Sequence, residues 1–314
     1  DVYKRQVARE GELAADENAE VVQRLIAAGA VIIGRTNMTE FAYSGLGINP
    51  HYGTPLNPYD RATGRIPGGS SSGAAVSVAD GMAVAGIGSD TGGSVRIPAA
   101  LCGLTGFKPS AWRVSMTGVL PLSANLDSIG PIAASVRCCA ELDAILSGDG
   151  GPVPEALPLR GLRLAVPTTL ALDAMEKNVA DTFAATVARL KEAGALVDEI
   201  AIPEFAELGN INSKGGFTAA EAWAWHRDLI ARAGKRYDPR VVSRIMRGQD
   251  MSAADYLDLL DAREAWVAAV DRRIAGYDAL IMPTTPIVAP AVADLAASDE
   301  AYYAANGLIL RNPT

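Results

Sequence analysis

Apolar residues at Val21, Val22, Leu25, Ile26 and Ala28 recur at helical spacing through DENAEVVQRLIAAGA, and Gly29 supplies the stop. The apolar run that opens VIIGRTN predicts a short buried strand. A helix feeding directly into a strand indicates α/β layering. Ser44 to Gly73, SGLGINPHYGTPLNPYDRATGRIPGGSSSG, is rich in Gly, Pro and Asn and reads as a long loop, a length that in compact domains usually goes with function or disorder. AAVSVADG predicts a short helix, MAVAGIGSD a buried strand and SVRCCAELDAIL a helix. Gly148 to Pro158 is a turn-rich connector. LRLAVP and LVDEIAI then read as strands around the amphipathic helix EKNVADTFAATVARLKEAGA. Phe205 to Gly276 is mostly helical in pattern, with breaks near Gly234 and Gly248, and YDALIMPTTP predicts a last buried strand. The expected class is α/β, a central mixed β-sheet covered by helices on both faces, with no internal repeat.

Composition narrows the function. The 314 residues suffice for one large domain or two ordinary ones, and 49% of them are hydrophobic, enough for a sizeable core. A net charge of −8, with no basic run beyond KRQ or RR, argues against direct nucleic-acid binding. No apolar run reaches the ~18–20 residues that cross a bilayer, and the opening residues do not read as a signal peptide. Cys102, Cys138 and Cys139 are few and odd in number, which points to free thiols in a reducing compartment. A soluble cytoplasmic protein is therefore expected. His51 and His226 lie far apart, and with the scattered cysteines they lack ligand spacing, so neither metal nor cofactor is expected.

The chemistry concentrates in GSDTGGSVR, Gly88 to Arg96. Gly86, Gly88 and Gly92 form a loose dinucleotide-binding pattern after a strand, but Pro98 interrupts the helix that should follow, and the Gly-Lys-Ser/Thr of a P-loop is absent. GSSSG, Gly69 to Gly73, matches the nucleophile elbow of α/β-hydrolases, with Ser71 as nucleophile and His226 downstream. That elbow must follow a buried strand, whereas this one follows a polar stretch ending in Pro67. A third reading couples Ser70 to Ser94, 24 residues later, across a helix–strand pair. One hydroxyl can relay a proton from the other if a neutral lysine amine stands behind it. Asp90 and Arg96 flank Ser94 and read as an ion pair bracing the loop.

IPGGSSSGAAVSVADGMAVAGIGSDTGGSVRIPAALCGLTGFKPS resembles the motif of the amidase signature family, and AGAVIIGRTNMTEFAYSG, LDSIGPIAASV and YDALIMPTTPIVAP agree with it. The resemblance implies an amidase that cleaves a carboxylic amide to acid and ammonia or amine. Ser94 would be the acylated nucleophile and Ser70 the bridging serine, joined to Gly69 by a cis peptide. Thr91, Gly92, Gly93 and Ser94 would turn backbone N–H groups toward the oxyanion. Ser71 would hydrogen-bond within the loop or cap the following helix. Met38 and Tyr43 would line the pocket or pack in the core.

The family's catalytic lysine stands further ahead of the bridging serine than this chain extends. Lys4 is the only lysine ahead of Ser70, and it lies in DVYKRQ, which fits nothing that follows. Lys108, in GFKPS, is a structural part of the motif. The resemblance thus implies a non-native tail over residues 1–10 and a single amidase signature domain over 11–314, incomplete at both ends. It also implies that the chain by itself is inactive. LSANLDSIGP is closer to free-standing amidases than to the glutaminase (A) subunit of tRNA-dependent amidotransferases, which is the alternative. An α/β-hydrolase esterase and a non-catalytic paralogue are further alternatives. The expected partner is a small-molecule amide, and a homodimer is allowed.

Overall fold

The structure is a computed structural model that describes residues 6–11 and 15–313. Lys4 lies outside the described residues. Val7–Arg9 forms a 3-10 turn, and Ala8 packs into a core cluster with Phe41, Ala222 and Leu229. This end of the expected tail is therefore part of the folded body.

In chain order the helices are α1 (Glu20–Ala27), α2 (Ser72–Ala79), α3 (Arg96–Leu101), α4 (Val136–Ser147), α5 (Lys177–Glu192) and α6 (Leu208–Ile211). They continue with α7 (Gly216–Ala233), α8 (Pro239–Met246), α9 (Ala253–Ile274), α10 (Val292–Ala296) and α11 (Asp299–Arg311). The strands are β1 (Ala85–Asp90), β2 (Thr105–Gly106), β3 (Ser128–Ala133), β4 (Arg163–Pro167), β5 (Leu196–Ile200) and β6 (Ala279–Leu280). Local sequence explains the ends. The Ser135 hydroxyl accepts the Cys138 N–H at the start of α4, and Gly148 closes that helix in the left-handed region. Ser252 and Asp255 form a capping box on α9. Asp238 caps α8, with Pro239 in its first turn.

The architecture is α/β, but the strands fall into two three-stranded sheets among the described residues rather than one. The first is antiparallel, in the order β1-β3-β2; the second is parallel, in the order β5-β4-β6. β3 is the buried centre of the first, running from Asp90↔Ser128 to Ala85↔Ala133 against β1. Ala74, Ala75, Val95, Ala99 and Ile132 pack into one cluster, which seats α2 and α3 on this sheet. Leu46, Ile66, Ile97, Tyr302 and Ile309 form a second cluster linking the 44–66 loop, α3 and α11. Each fully buried Leu or Ile of this kind contributes ~1.5–3 kcal/mol.

The strand expected at VIIGRTN does not form. Val31, Ile32 and Ile33 are 83%, 52% and 68% exposed. An apolar run predicts burial only when a partner strand flanks it. Here the backbone finds partners further on, where Asn37, Thr39 and Gly45 hydrogen-bond to residues 69–73. Among the described residues no helix is long and apolar enough to cross a membrane.

Candidate active site

β1 ends at Asp90, and residues 91–95 make the turn into α3. Asp90 is fully buried and organises this turn. Its Oδ1 accepts Gly93 N at 2.7 Å and Arg96 Nη2 at 2.8 Å. Its Oδ2 accepts Val95 N at 3.1 Å, Arg96 N at 3.3 Å and Arg96 Nε at 2.9 Å. Burial pushes this carboxyl upward, but the Arg96 hydrogen bonds and charge, with the Gly93 and Val95 N–H groups, outweigh it and hold it below the ordinary carboxylate range. The bracing pair expected of Asp90 and Arg96 is thus a bidentate one. Gly93 sits at φ +115°, and a Cβ there would lie 2.5 Å from the Pro313 Cβ. Its N–H, expected to face an oxyanion, instead serves the Asp90 carboxylate, because the turn folds back over that side chain.

The second turn precedes α2. The Gly69–Ser70 peptide is cis, at the position the motif suggested. Gly69 is confined: a Cβ would come within 2.5 Å of Gly47 N and 2.8 Å of Thr39 Oγ1. Main-chain bonds tie this turn to residues 37–45, through Gly69 N to Gly45 O at 2.7 Å, Thr39 N to Ser70 O at 3.1 Å and Gly73 N to Asn37 O at 2.9 Å. The two serine turns meet directly, since Ser71 N donates to Ser94 O at 3.2 Å. The Ser71 hydroxyl donates to Ser89 O at 3.4 Å and does not cap α2. Ser70 and Ser94 are both buried. Among the described residues the Ser70 hydroxyl has no hydrogen-bond partner, so the expected Ser70–Ser94 hydroxyl bond is not formed here.

The histidines stand elsewhere. His226 is packed in the core against Phe41 and Trp225, its Nδ1 2.8 Å from the Tyr237 hydroxyl, and burial lowers it to about 3. His51 Nε2 lies 3.1 Å from Glu40 Oε1. The Ser71–His226 pairing of an α/β-hydrolase is therefore not assembled. Met38 and Tyr43 belong to the core cluster around Phe41. Lys108 donates to Pro109 O at 3.0 Å and is lowered chiefly by burial. A cavity of about 540 Å³ between α5 and residues 283–289 does not touch either serine. Among the described residues no group of three or more His, Cys, Asp or Glu side chains is placed to hold a metal ion.

Two serine turns pressed together around a cis Gly-Ser peptide frame the comparison with known proteins. The Amidase family profile matches residues 8–311. The chain belongs to the amidase family. The chain is 36% identical to the 2-amino-5-chloromuconic acid deaminase of Comamonas testosteroni, over 93% of the chain and 63% of that protein. It is also 36% identical to the A-type subunit of the glutamyl-tRNA(Gln) amidotransferase of Symbiobacterium thermophilum, over 87% of the chain and 62% of that protein. The chain thus spans less than two thirds of the length of these curated relatives. Its fold matches the crystal structure of an amidase with a TM-score of 0.82 at 31% identity, over 96% of the chain and 69% of the other.

Sequence reading of the amidase motif passed over three side chains. Thr91 Oγ1 donates to Asp127 Oδ1 at 2.5 Å, and burial, augmented by the charge of Glu221, raises the Asp127 carboxyl. Glu40 is buried beneath His51, accepts Asp238 N at 2.7 Å, and is lifted by burial to about 7. Asp127 stands in the LDSIGP stretch and Glu40 in TNMTEFA, so the resemblance flagged both segments. It carried no sign of which side chain within them mattered. Glu221 lies on α7, ahead of AWHRDLIARAGKRYDPRV, which also resembles amidases, and outside that segment.

Proposed function

We propose that this amidase cleaves a carboxylic amide through an acyl-enzyme on Ser94. The observation that carries this reading is the contact between the two serine turns, Ser71 N to Ser94 O at 3.2 Å, beside a buried Ser70 hydroxyl that has no partner among the described residues. A buried hydroxyl without a partner is unfavourable by ~1–3 kcal/mol, so Ser70 suits a relay between the nucleophile and an amine. Ser94 Oγ attacks the amide carbon as its proton passes to Ser70, whose own proton passes to a lysine. The carbonyl oxygen gains charge, and the family resemblance sets main-chain N–H groups of the Thr91–Ser94 turn against it. The C–N bond breaks as the departing nitrogen takes back, through Ser70, the proton the lysine had received. Water then cleaves the Ser94 ester, giving the acid and restoring the hydroxyl.

The lysine role is carried by the family resemblance, and Lys4 is the only lysine ahead of Ser70 in this chain. We therefore read the 314-residue chain alone as inactive. The three unpaired cysteines suit a reducing compartment, the cytoplasm. We favour a stand-alone hydrolase over an amidotransferase component; turnover strictly limited to glutamine would reverse that preference.

The test is ammonia release from simple amides by protein expressed from its complete gene. Ser94→Ala should reduce turnover by at least ~10³-fold while the circular dichroism spectrum is unchanged. Undiminished turnover in that variant would sink the assignment.

A further inference from the structure

Two neighbouring residues in the segment that fastens the Ser70 turn sit in the left-handed region. Phe41 has φ 47° and Ala42 φ 62°, a conformation that residues with side chains keep only where their surroundings over-determine it. The ties lie on either side. Thr39 N donates to Ser70 O at 3.1 Å, and Gly69 N donates to Gly45 O at 2.7 Å. Residues 39–45 are thus a strap across the Ser70 turn, with the reversed backbone at its middle.

Glu40 is the only carboxyl in that strap, and it is fully buried. Its Oε2 accepts the N–H of Asp238 at 2.7 Å, and the Asp238 carboxylate caps α8. Its Oε1 has no aligned hydrogen bond among the described residues, and His51 Nε2 stands 3.1 Å from it. Asn49 presents His51: its Oδ1 accepts His51 N at 2.9 Å while its Nδ2 donates to Met38 O at 2.8 Å. The imidazole keeps 25% of its side chain in solvent and the Glu40 side chain none. A proton therefore reaches Glu40 by way of His51.

The other charges nearby do not neutralise Glu40. Arg240 pairs with Asp299, and Arg244 and Arg9 lie over the rings of Tyr43 and Trp225. Burial keeps His226, which packs on Phe41, neutral by lowering it to about 3. It also raises Tyr43 and Tyr302, which stay neutral. Burial pushes the Glu40 carboxyl up to about 7, helped by the Asp238 charge and opposed by the Asp238 N–H. As an acid, Glu40 satisfies both neighbours, accepting Asp238 N and offering its O–H to the imidazole. As a carboxylate, it sets a second buried charge beside Asp238 with His51 alone to answer it.

We propose that Glu40 is a positioning residue for amide hydrolysis, and that the proton it exchanges with His51 governs how tightly the 39–45 strap holds the Ser70 turn. This rests on the Ser94 acyl-enzyme reading above, in which Ser70 relays the proton. Glu40 acts through the N–H of its neighbour Thr39. With Glu40 protonated the strap is closed. As pH rises and the proton leaves, the buried charge beside Asp238 loosens the strap, and Ser70 moves out of line with Ser94.

The experiment compares wild type, Glu40→Gln, His51→Gln and Ser94→Ala, each expressed from the complete gene, between about pH 5.5 and about pH 8.5. It reads kcat and KM for ammonia release well below the measured Tm, so that loss of folded enzyme does not enter. It also reads the carboxylic-acid C=O band in the infrared spectrum. Glutamine is a permanent mimic of the neutral acid. The kcat of Glu40→Gln relative to wild type should therefore rise ~3–10-fold from about pH 6 to about pH 8.5, less than the ~10²-fold of a full 1 Å misplacement. The KM ratio should stay within ~2-fold, because the strap acts on the serine relay and not on the bound amide. Wild type minus Glu40→Gln should show an acid band that fades as pH rises through about 7. In His51→Gln that midpoint should move to higher pH, since no imidazolium is left to favour the carboxylate. If Glu40→Gln does not fold, wild type against His51→Gln decides. A flat kcat ratio, an acid band missing at about pH 6, or a midpoint unmoved in His51→Gln overturns the inference. A fully active Ser94→Ala overturns the acyl-enzyme reading instead and leaves the infrared band in place, so the two failures are distinguishable.

Discussion

Replacing Asp90 by asparagine keeps the side chain's shape and removes its charge. In the wild type the carboxylate receives five N–H groups, those of Gly93, Val95 and Arg96 from the backbone and Nε and Nη2 of Arg96. Asparagine offers one oxygen and, in the second place, an NH2 that meets donors head on. A buried N–H deprived of its acceptor is unfavourable by ~1–3 kcal/mol, and breaking a buried ion pair by ~3–5 kcal/mol. Arg96 keeps 30% of its side chain in solvent and can rehydrate. The expected loss is therefore about 3 kcal/mol, at the low end of that range. At ~2–4 °C per kcal/mol for a large domain, Tm should fall by roughly 6–12 °C. The folded Asp90 carboxyl lies below its unfolded value of about 3.9. Its stabilisation is thus fully present above that value and is lost as pH falls through the lower folded one. The gap between wild type and variant should hold from about pH 7 to about pH 5 and close only in stronger acid. Thermal melts followed by circular dichroism across that range would measure it. A gap below ~1 kcal/mol at about pH 7, or one already closing near about pH 5.5, would refute the bracing role.

Glu40 predicts the opposite pH trend. Its folded carboxyl titrates at about 7 against about 4.3 unfolded, so the native state binds the extra proton and stability falls as pH rises between those values. Glu40→Gln should abolish that fall, worth up to ~3 kcal/mol, and a wild-type stability curve as flat as the variant's from about pH 5 to about pH 8 would contradict it. Gly93→Ala should lose at least ~1–3 kcal/mol of stability from its positive φ alone. The added methyl would also crowd Ile97 Cδ1 at 2.7 Å. Its turnover should drop by more than ~10-fold, and a variant with unaltered Tm and kcat would disprove the tight fit.

Much of the fold could be read from the chain because local signals and tertiary context agree there. The helix expected at AAVSVADG is α2, and that expected at SVRCCAELDAIL is α4. LRLAVP and LVDEIAI pair as β4 and β5. Breaks expected near Gly234 and Gly248 fall at the ends of α7 and α8. VIIGRTN failed because a hydrophobic run states a preference for burial, not the presence of a neighbour. YDALIMPTTP shrank to the two residues of β6 for a related reason, its prolines removing ladder donors. In the candidate site, the Asp90–Arg96 brace and the meeting of the two glycine-serine turns were legible because glycine and charge spacing mark them. Gly93's true hydrogen bond and the Thr91–Asp127 bond were not, since both depend on how a turn folds over a side chain.

The stretch from Asn37 to Gly45 is fastened to the Gly69–Gly73 turn by main chain on both sides. Such bonds carry no record of residue identity. Relatives can therefore exchange letters along this stretch and keep the same framework. A one-residue deletion between Asn37 and Gly45 would move the carbonyls on one side out of step with their donors. Anyone transplanting this region into another scaffold should preserve its count before its composition.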